Sequence, residues 1–316
     1  MHSKLVWLIP LILAVVVLAL YLWPVPRVPF DKLFAKVDTG TTASLQSFHQ
    51  NHPLQQVEVD STTWKYVAFG QGEEAILFLH GMTGAYDIWW QQMEALQNRY
   101  RVISVTYPPV DSLEKLSQGV LAILKRESIE KVNVVGSSLG GYLSQYLIAT
   151  RTEKVARAVF ANTFPPNDII AEKNRTIGMA LPYLPEWLVM NVLRASFRDS
   201  IYPASGYDEL TLAYMLEQSY GRMNKAQVSG RFRCVIDSFT PAGPAALGIP
   251  VMIIEADNDP LVEETLREQL KTTYPSATVY TLHDVGHFSY LSNAEEYTRL
   301  LEEFFEATTK QGKADW

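Results

Sequence analysis

Short apolar runs alternate with longer amphipathic runs along most of this chain, and this alternation constrains the fold more than any other feature of the sequence. From Val57 onward the alternation is typical of β-α-β units in a mainly parallel sheet. Strands are predicted at residues 56–60, 64–69, 75–79, 101–106, 131–135, 155–160, 251–255 and 278–282. Helices are predicted at residues 88–97, 113–127, 139–150, 261–273 and 295–306. With 47% hydrophobic and 19% charged residues, the chain can bury the core that such a sheet requires.

The alternation is interrupted between the strand predicted to end at Phe160 and the strand predicted to begin at Val251. This stretch of about 90 residues is rich in aromatic residues and methionine and contains several prolines. Its apolar side chains form either the core of a helical subdomain or the underside of a cap over a site, and the sequence leaves both open. The predicted segments are a linker at residues 28–56, a sheet domain at residues 57–308 with a cap insertion at about residues 163–248, and a tail at residues 309–316.

The charge balance and the cysteine content exclude several kinds of partner. The chain has 27 Lys and Arg against 34 Asp and Glu, a formal net charge of -7, whereas binding to nucleic-acid phosphates needs a basic face. The one cysteine, Cys234, cannot form an intrachain disulfide, and a single thiol without neighbouring ligands makes no zinc or iron–sulfur site. We therefore expect neither a nucleic-acid partner nor a cysteine-based metal site.

The chain begins with an uncharged apolar run at residues 5–23. At 1.5 Å per residue, a helix of this length spans about 28 Å, close to the roughly 30 Å hydrocarbon core of a bilayer. A cleaved signal peptide is the alternative, but its shorter apolar region ends at small residues, whereas this run ends near Tyr21 and Trp23. We therefore predict a single-pass N-terminal anchor within residues 1–27. The large domain is expected on the extracytoplasmic side, although the basic residues after the run do not favour that side.

A glycine-rich turn follows the strand predicted at residues 131–135. Gly136, Ser138 and Gly140 fit the G-x-S-x-G pattern, in which a sharp strand-to-helix turn lifts the serine hydroxyl out of the sheet. The neighbouring Ser137 does not fit, because the residues two positions away from it are not glycines. The helix that follows presents unpaired backbone N–H groups where an oxyanion would form. Ser138 is the predicted nucleophile, against the alternative of a glycine turn without chemistry.

The acid and the base that such a serine needs follow later in the chain. Asp257 and Asp259 come directly after the strand predicted to begin at Val251, at the edge of the sheet where ligands of open α/β sheets bind. His287 lies in a loop after the last predicted strand, in the order serine, acid, histidine. We predict that His287 takes the proton of Ser138 and that a carboxylate fixes its tautomer.

The positions of the histidines support this choice. Of the six, His2, His49, His52 and His80 precede the predicted nucleophile, and only His283 and His287 follow it. A metal site built from His283 and His287 would need both on one helical face. Gly286 and the preceding strand make a helix there improbable, so no metal is expected.

With these motifs in place, the chain resembles the α/β-hydrolase fold superfamily from Val57 to about Phe305. The segments YRVISVTYPPVDSLEKLSQGV and VVGSSLGGYLSQYL are, within that superfamily, most similar to the maspardin-like branch. The resemblance implies a mostly parallel central sheet flanked by helices, with a helical cap insertion, to which this chain adds the predicted N-terminal transmembrane helix. Many members carry a D-x-x-G-x-G-x-S loop after the fourth strand, which residues 107–112 replace here, so the neighbouring pocket wall is expected to differ. Maspardin lacks a histidine at the place of His287, and its presence here favours an active enzyme.

The resemblance also implies roles for the residues around Ser138. The glycine turn at residues 80–84 would lie beside the nucleophile, and the backbone N–H groups of Met82 and Leu139 would form the oxyanion hole. The motif residues that would support this arrangement are His80, Gly81, Gly136 and Gly140. In this arrangement His80 holds the loop by hydrogen bonding and is not the base.

Members of the superfamily commonly place the catalytic acid in a G-x-x-D-P-L-V-like stretch. Residues 256–262 match it, with Asp259 in the place of the acid and Ala256 in that of the glycine. The resemblance therefore favours Asp259 over Asp257, which would cap the turn or bond to nearby backbone.

The residues and the resemblance together predict a serine hydrolase that cleaves a carboxylic ester, or a related acyl compound, through an acyl-enzyme on Ser138. No cofactor is expected. The apolar composition of the predicted cap favours a small-molecule ester with an apolar group. Dehalogenation and epoxide opening normally need Asp at the place of Ser138 and are disfavoured. The alternative is a membrane-tethered, non-catalytic binding protein that keeps the fold, because fold does not determine function.

Overall fold

The computed structural model describes residues 2–243 and 248–314, and these residues form an eight-stranded β-sheet with helices on both faces. The strands are β1 (Gln55–Val59), β2 (Thr62–Phe69), β3 (Ala75–Leu79), β4 (Arg101–Thr106), β5 (Val132–Ser137), β6 (Val155–Ala161), β7 (Val251–Ala256) and β8 (Thr278–Leu282). Their order is β1-β2-β4-β3-β5-β6-β7-β8. Only the β1–β2 and β2–β4 pairs of this described sheet are antiparallel. The predicted mostly parallel sheet is confirmed, and each predicted strand end lies within two residues of the observed one.

The α-helices divide into an N-terminal group, a group that flanks the sheet and a group between β6 and β7. They are α1 (His2–Tyr21), α2 (Phe30–Leu33), α3 (Thr39–Asn51), α4 (Trp90–Leu96), α5 (Leu113–Arg126), α6 (Leu139–Thr150), α7 (Ile169–Lys173), α8 (Arg175–Ala180), α9 (Glu186–Ser196), α10 (Tyr202–Ala204), α11 (Glu209–Glu217), α12 (Lys225–Val235), α13 (Glu264–Thr273), α14 (Ser289–Ser292) and α15 (Ala294–Ala314). Two π-helical turns, Phe197–Ile201 and Gln218–Arg222, continue α9 and α11. Helices α7 to α12 are called the cap helices below.

The central strand β3 shows why the sheet is covered on both faces. All five of its residues are apolar and buried. Successive side chains of a strand point to opposite faces, and Ile76 and Phe78 belong to one core cluster whereas Leu77 and Leu79 belong to the other. The first cluster includes residues of α3, α4 and α15, and the second includes residues of α5, α6 and α13. A continuous apolar run is what a parallel strand between two helical layers requires.

A fully buried carboxylate, Asp87, joins the cap helices to the rest of the protein. Its Oδ1 accepts a hydrogen bond from the Tyr214 hydroxyl at 2.5 Å, and its Oδ2 lies 2.7 Å from Arg222 Nη2 and 2.6 Å from His49 Nε2. Burial alone would raise the pKa of Asp87, but Arg222 and the hydrogen bonds from His49 and Tyr214 lower it well below the usual range. Asp87 is therefore ionised, and one charge holds together α3 and the segment that contains α11.

The predicted transmembrane helix at residues 5–23 is wrong, and so is the single-pass membrane localisation inferred from it. Within the described residues, the structure contains no helix with the length and apolar character needed to cross a membrane. Helix α1 ends at Tyr21, before the apolar run does. The end of α1 contacts the cap helices instead, since Trp187 Nε1 donates to the Leu20 carbonyl at 2.7 Å and Lys225 Nζ lies 3.2 Å from the Tyr21 hydroxyl.

Candidate active site

Ser138 lies in the turn between β5 and α6, and its backbone is strained. Its φ of 54° and ψ of -119° fall in a region that residues with a Cβ rarely adopt, at a cost of about 1–3 kcal/mol. Two hydrogen bonds hold this conformation: the Ser138 N–H donates to the Ala161 carbonyl at 3.0 Å, and Thr163 Oγ1 donates to the Ser138 carbonyl at 2.7 Å. Ser138 lines a cavity, whereas the preceding Ser137 is fully buried.

The turn can be this tight because Gly136 and Gly140 have no side chains. A Cβ at Gly136 would overlap the backbone of Gly140, and a Cβ at Gly140 would overlap the carbonyl of Leu79. The first turn of α6 therefore packs directly against the end of β3. Leu139 is the first residue of α6, and N–H groups at this position have no intrahelical acceptor. Its N–H can therefore bind a developing oxyanion beside Ser138.

The loop that follows β3 lies against the same serine. A Cβ at Gly81 would stand 3.1 Å from the Cβ and 3.7 Å from the Oγ of Ser138. Gly81 and Met82 line the cavity that Ser138 lines. The backbone of Gly81 thus lies against the side chain of Ser138, and Met82 lines the same cavity.

The buried side chain of His80 forms hydrogen bonds with this loop and with the chain after β4. Its side chain is fully buried, with Nδ1 2.6 Å from the Gly81 carbonyl and Nε2 3.2 Å from the Tyr107 nitrogen. Because a backbone N–H can only donate, Nε2 accepts, and we assign the ring proton to Nδ1. Burial, followed by the nearby Arg231 guanidinium, holds the pKa of His80 well below its ordinary value. The neutral ring therefore ties the loop to the end of β4.

Asp259 and His287 form a buried pair at the carboxyl edge of the sheet. His287 Nδ1 lies 2.8 Å from Oδ2 and 3.0 Å from Oδ1 of Asp259, and both side chains are almost fully buried. Oδ1 also accepts from the backbone N–H groups of Leu261 and Val262 at 2.8 and 3.1 Å. Burial acts to raise the pKa of Asp259, but His287 and these hydrogen bonds together hold it below the usual value. The carboxylate is thus ionised and can orient the imidazole.

Asn162 completes the surroundings of this carboxylate. It follows β6 and adopts a φ of 43°, a conformation that Asn tolerates better than most residues. Its Nδ2 donates to Asp259 Oδ2 at 3.0 Å, and its Oδ1 accepts from Ser289 Oγ at 3.0 Å. Because an ionised carboxylate can only accept, the amide nitrogen of Asn162 must face Asp259. Asn162 therefore bonds to Oδ2, the carboxylate oxygen that the N–H groups of Leu261 and Val262 do not contact.

Asp257 lies elsewhere. Its carboxylate is about half exposed, with Oδ2 2.6 Å from His283 Nδ1, and it accepts from the Asp284 N–H at 3.4 Å. His283 is itself 74% exposed. The two histidines that follow the nucleophile therefore do not converge on one site: His283 pairs with Asp257 at the surface, and His287 pairs with Asp259 in the interior.

Ser138 and His287 line one cavity of about 350 Å³, which is at the lower end of the range for small-molecule sites. Gly81 and Met82 of the loop after β3 line the same cavity as Ser138 and His287. Apolar side chains of the cap helices and of the turn after α9 provide much of the remaining wall, among them Ile169, Ile170, Leu193, Phe197, Ile201 and Phe232. Lys173 and Glu263, which also line the cavity, form an ion pair between the cap and the start of α13.

Sequence reasoning missed Asn162 and Arg231, which contact the predicted site residues. Asn162 had a usable signal, because a polar residue directly after a buried strand lies at the sheet edge where ligands bind. Arg231 had none, since nothing in the spacing of a cap helix tells which of its arginines is buried against another segment.

Comparisons with known proteins agree with this geometry at the level of the fold. A family model described as "Alpha/beta hydrolase family" matches residues 76–300. Maspardin from Danio rerio is 24% identical over 260 residues, covering 79% of this chain and 81% of that protein, so the predicted resemblance to the maspardin-like branch is confirmed.

Two solved structures are similar in fold. A hydrolase from Pseudomonas aeruginosa PA01 has a TM-score of 0.70 at 20% identity, over 80% of this chain and 98% of the other. A membrane phospholipase A, a bacterial virulence factor, has a TM-score of 0.63 at 18% identity, over 97% of this chain and 99% of the other.

Proposed function

This chain belongs to the alpha/beta hydrolase family, a fold that supports a hydrolase-type function, and we propose that it is a serine hydrolase that cleaves a carboxylic ester through an acyl-enzyme on Ser138. The observation that carries this proposal is the buried Asp259–His287 pair, 2.8 Å apart, in a cavity shared with a serine on a strained strand-to-helix turn. A turn without chemistry would have no need of a buried carboxylate that orients a histidine toward the same cavity.

In the proposed reaction, the Oγ of Ser138 attacks the ester carbonyl while Nε2 of His287 takes its proton. Asp259 keeps the proton of the neutral imidazole on Nδ1 and stabilises the imidazolium that forms. The tetrahedral intermediate expels the alcohol, which leaves with the proton from His287. Water then attacks the acyl-enzyme with His287 as base, and the carboxylic acid and the free serine are released.

The oxyanion of both tetrahedral intermediates would be bound by backbone N–H groups of Leu139 and Met82. Leu139 contributes the first N–H of α6, whose dipole favours negative charge at this end. Met82 contributes main chain only, so its side chain is free to vary. Donors of this kind, preorganised in a site closed to water, are worth several kcal/mol in the transition state.

An apolar acyl group is the substrate feature that the cavity favours. Ile169, Leu193 and Phe197 line the cavity with side chains that cannot form hydrogen bonds, so a sugar or peptide group placed against these three would lose its bonds to water without replacement. Burial of methylenes contributes about 0.8 kcal/mol each. We therefore expect specificity to rise with acyl chain length until the cavity is filled.

Leu193→Trp is expected to shorten the acyl chain that the enzyme accepts. Leu193 lines the cavity from α9, and the larger indole would occupy space that a long chain needs. We expect kcat/KM for p-nitrophenyl decanoate to fall by at least about tenfold and that for the acetate to change by less than about threefold. Steady-state assays across a series of p-nitrophenyl esters measure this.

The matched control is Val192→Trp, since Val192 is the neighbouring residue of α9 and is 49% exposed. This variant should retain the chain-length profile of the unmodified enzyme. A Leu193→Trp enzyme that loses activity equally on short and long esters would contradict the assignment of the apolar wall to the acyl group.

Covalent labelling tests the proposed function directly. A fluorophosphonate probe reacts with an activated serine, so the purified protein should be labelled stoichiometrically and lose esterase activity as labelling proceeds. A protein that keeps the fold for binding alone would remain unlabelled. No labelling together with no turnover of activated esters would reject the proposal.

A further inference from the structure

Arg231 is a buried arginine of helix α12, and it contacts the loop beside Ser138. Its side chain is 1% exposed. Nη1 donates to the carbonyls of Met82 and Gly84 at 2.9 and 3.1 Å, and Nη2 donates to the carbonyl of Tyr107 at 2.7 Å. A cap residue therefore bonds directly to the main chain of Met82, the proposed oxyanion-hole donor, and to that of Gly84 two residues further on.

The charge of Arg231 is unusual because carbonyls, and not carboxylates, compensate it. Burial lowers the pKa of Arg231 to about 10, and no Asp or Glu of the described residues is among the groups that act against this shift. A buried cation without an ionic partner destabilises a fold. The burial of Arg231 beside this loop therefore needs a reason other than stability. Its charge supplies one, because a charged donor forms stronger hydrogen bonds to the carbonyl oxygens of the loop.

The side chains of His80 and Arg231 both form hydrogen bonds to carbonyls of residues 81–84. His80 bonds to the Gly81 carbonyl, and Arg231 bonds to those of Met82 and Gly84. The main chain of Tyr107 bonds to both of these side chains, because its N–H donates to His80 and its carbonyl accepts from Arg231. The Met82 N–H lies in the same peptide plane as the Gly81 carbonyl, to which His80 bonds, and Arg231 bonds to the carbonyl of the next plane. Together the two side chains hold both peptide planes that meet at Met82, and hence the direction of its N–H.

We propose that Arg231 is a positioning residue that holds residues 81–84 in the conformation in which the Met82 N–H binds the oxyanion. Catalysis then requires that the cap helices are packed in place against this loop. The inference rests on the proposed function of Ser138. It adds that α12 acts on the chemical step through the loop and does not merely cover the substrate.

The test compares Arg231→Met with Arg194→Met. Arg194 is a second buried cap arginine, 4% exposed, whose Nη1 also donates to a carbonyl, that of Ser219 at 2.8 Å. Both changes remove a buried cap guanidinium, but only Arg231 contacts residues 81–84. Both variants and the unmodified enzyme are assayed with p-nitrophenyl esters at a temperature below the unfolding midpoint of all three.

For Arg231→Met we expect kcat to fall by at least about tenfold with KM changed by less than about threefold, since ground-state contacts in the cavity are retained. The inhibition constant of a trifluoromethyl ketone, which forms an oxyanion adduct on the serine, should rise in proportion to the loss of kcat/KM. Hydrogen exchange should quicken at residues 81–84 in this variant and not in Arg194→Met. Arg231→Lys, which keeps a cation but loses the fork, should give intermediate values.

The inference is overturned if Arg231→Met matches Arg194→Met in kcat, in ketone affinity and in exchange at residues 81–84, while the unmodified enzyme turns over esters. In that case the proposed function stands and Arg231 is structural only. If the unmodified enzyme neither turns over esters nor reacts with a fluorophosphonate, the proposed function fails and the inference fails with it.

Discussion

Replacement of Ser138 by alanine is expected to abolish labelling by a fluorophosphonate probe and to lower ester turnover by at least about 10⁴-fold. Ser138 is partly exposed at the cavity, on a backbone held in a strained conformation by Ala161 and Thr163. Without its Oγ no acyl-enzyme can form, and only binding and the oxyanion hole remain to catalyse direct attack by water. Labelling on gels and hydrolysis of a p-nitrophenyl ester measure the two effects.

Ser137→Ala is the matched control, because it removes the hydroxyl of the adjacent residue. Ser137 is fully buried at the end of β5, so its loss should leave labelling complete and most of the turnover intact. Labelling that persists in Ser138→Ala and disappears in Ser137→Ala would move the nucleophile by one residue and invalidate the site as described.

The second large effect concerns the carboxylate that orients His287. Asp259→Asn should lower kcat by at least about 10²-fold, because an amide at this position favours the wrong tautomer of the imidazole and no longer stabilises its charged form. The expected loss is smaller than the roughly 10⁴-fold typical of a triad acid, since activated esters need less help from the base. Substrate binding should change little, because Asp259 is buried behind His287.

Asp257→Asn separates this role from a general effect of charge at the same edge of the sheet. Asp257 is two residues away, about half exposed and paired with His283, so we expect a loss of less than about tenfold in kcat. A larger loss in Asp257→Asn than in Asp259→Asn would transfer the acid to Asp257. Near-normal activity in both variants would mean that no triad operates here.

The sheet could be predicted from the sequence because its signals are local. In β3 an apolar run of five residues predicts a strand buried on both faces, and the structure has it at Ala75–Leu79. The strand-to-helix turn at Ser138 could be predicted for a similar reason. Gly136 and Gly140 are needed there because each packs directly against main chain. Such patterns carry their physical reason within a few residues, so one sequence suffices to read them.

Contacts made across the fold could not be predicted in this way. Arg231 and Met82 are far apart in the chain, and their contact depends on how α12 packs against α6 and the neighbouring cap helices. The predicted transmembrane helix at the N-terminus is wrong for a different reason. The apolar run predicts a helix over residues 5–23, whereas α1 ends at Tyr21 and the chain there bonds to cap residues. The roles predicted for Met82, Asp259 and His287 remain predictions that the variants above examine.

The cluster around Asp87 bears on how caps can be exchanged among relatives of this fold. A graft that brings in foreign helices between β6 and β7 removes Tyr214 and Arg222 but leaves Asp87 and His49 in the recipient. In the recipient, the buried carboxylate of Asp87 then keeps His49 but has lost two of its three partners. Either water must enter beside it or the carboxylate must take up a proton. Chimaeras of this protein should therefore transfer His49, Asp87, Tyr214 and Arg222 together, or replace all four by apolar residues of matching volume.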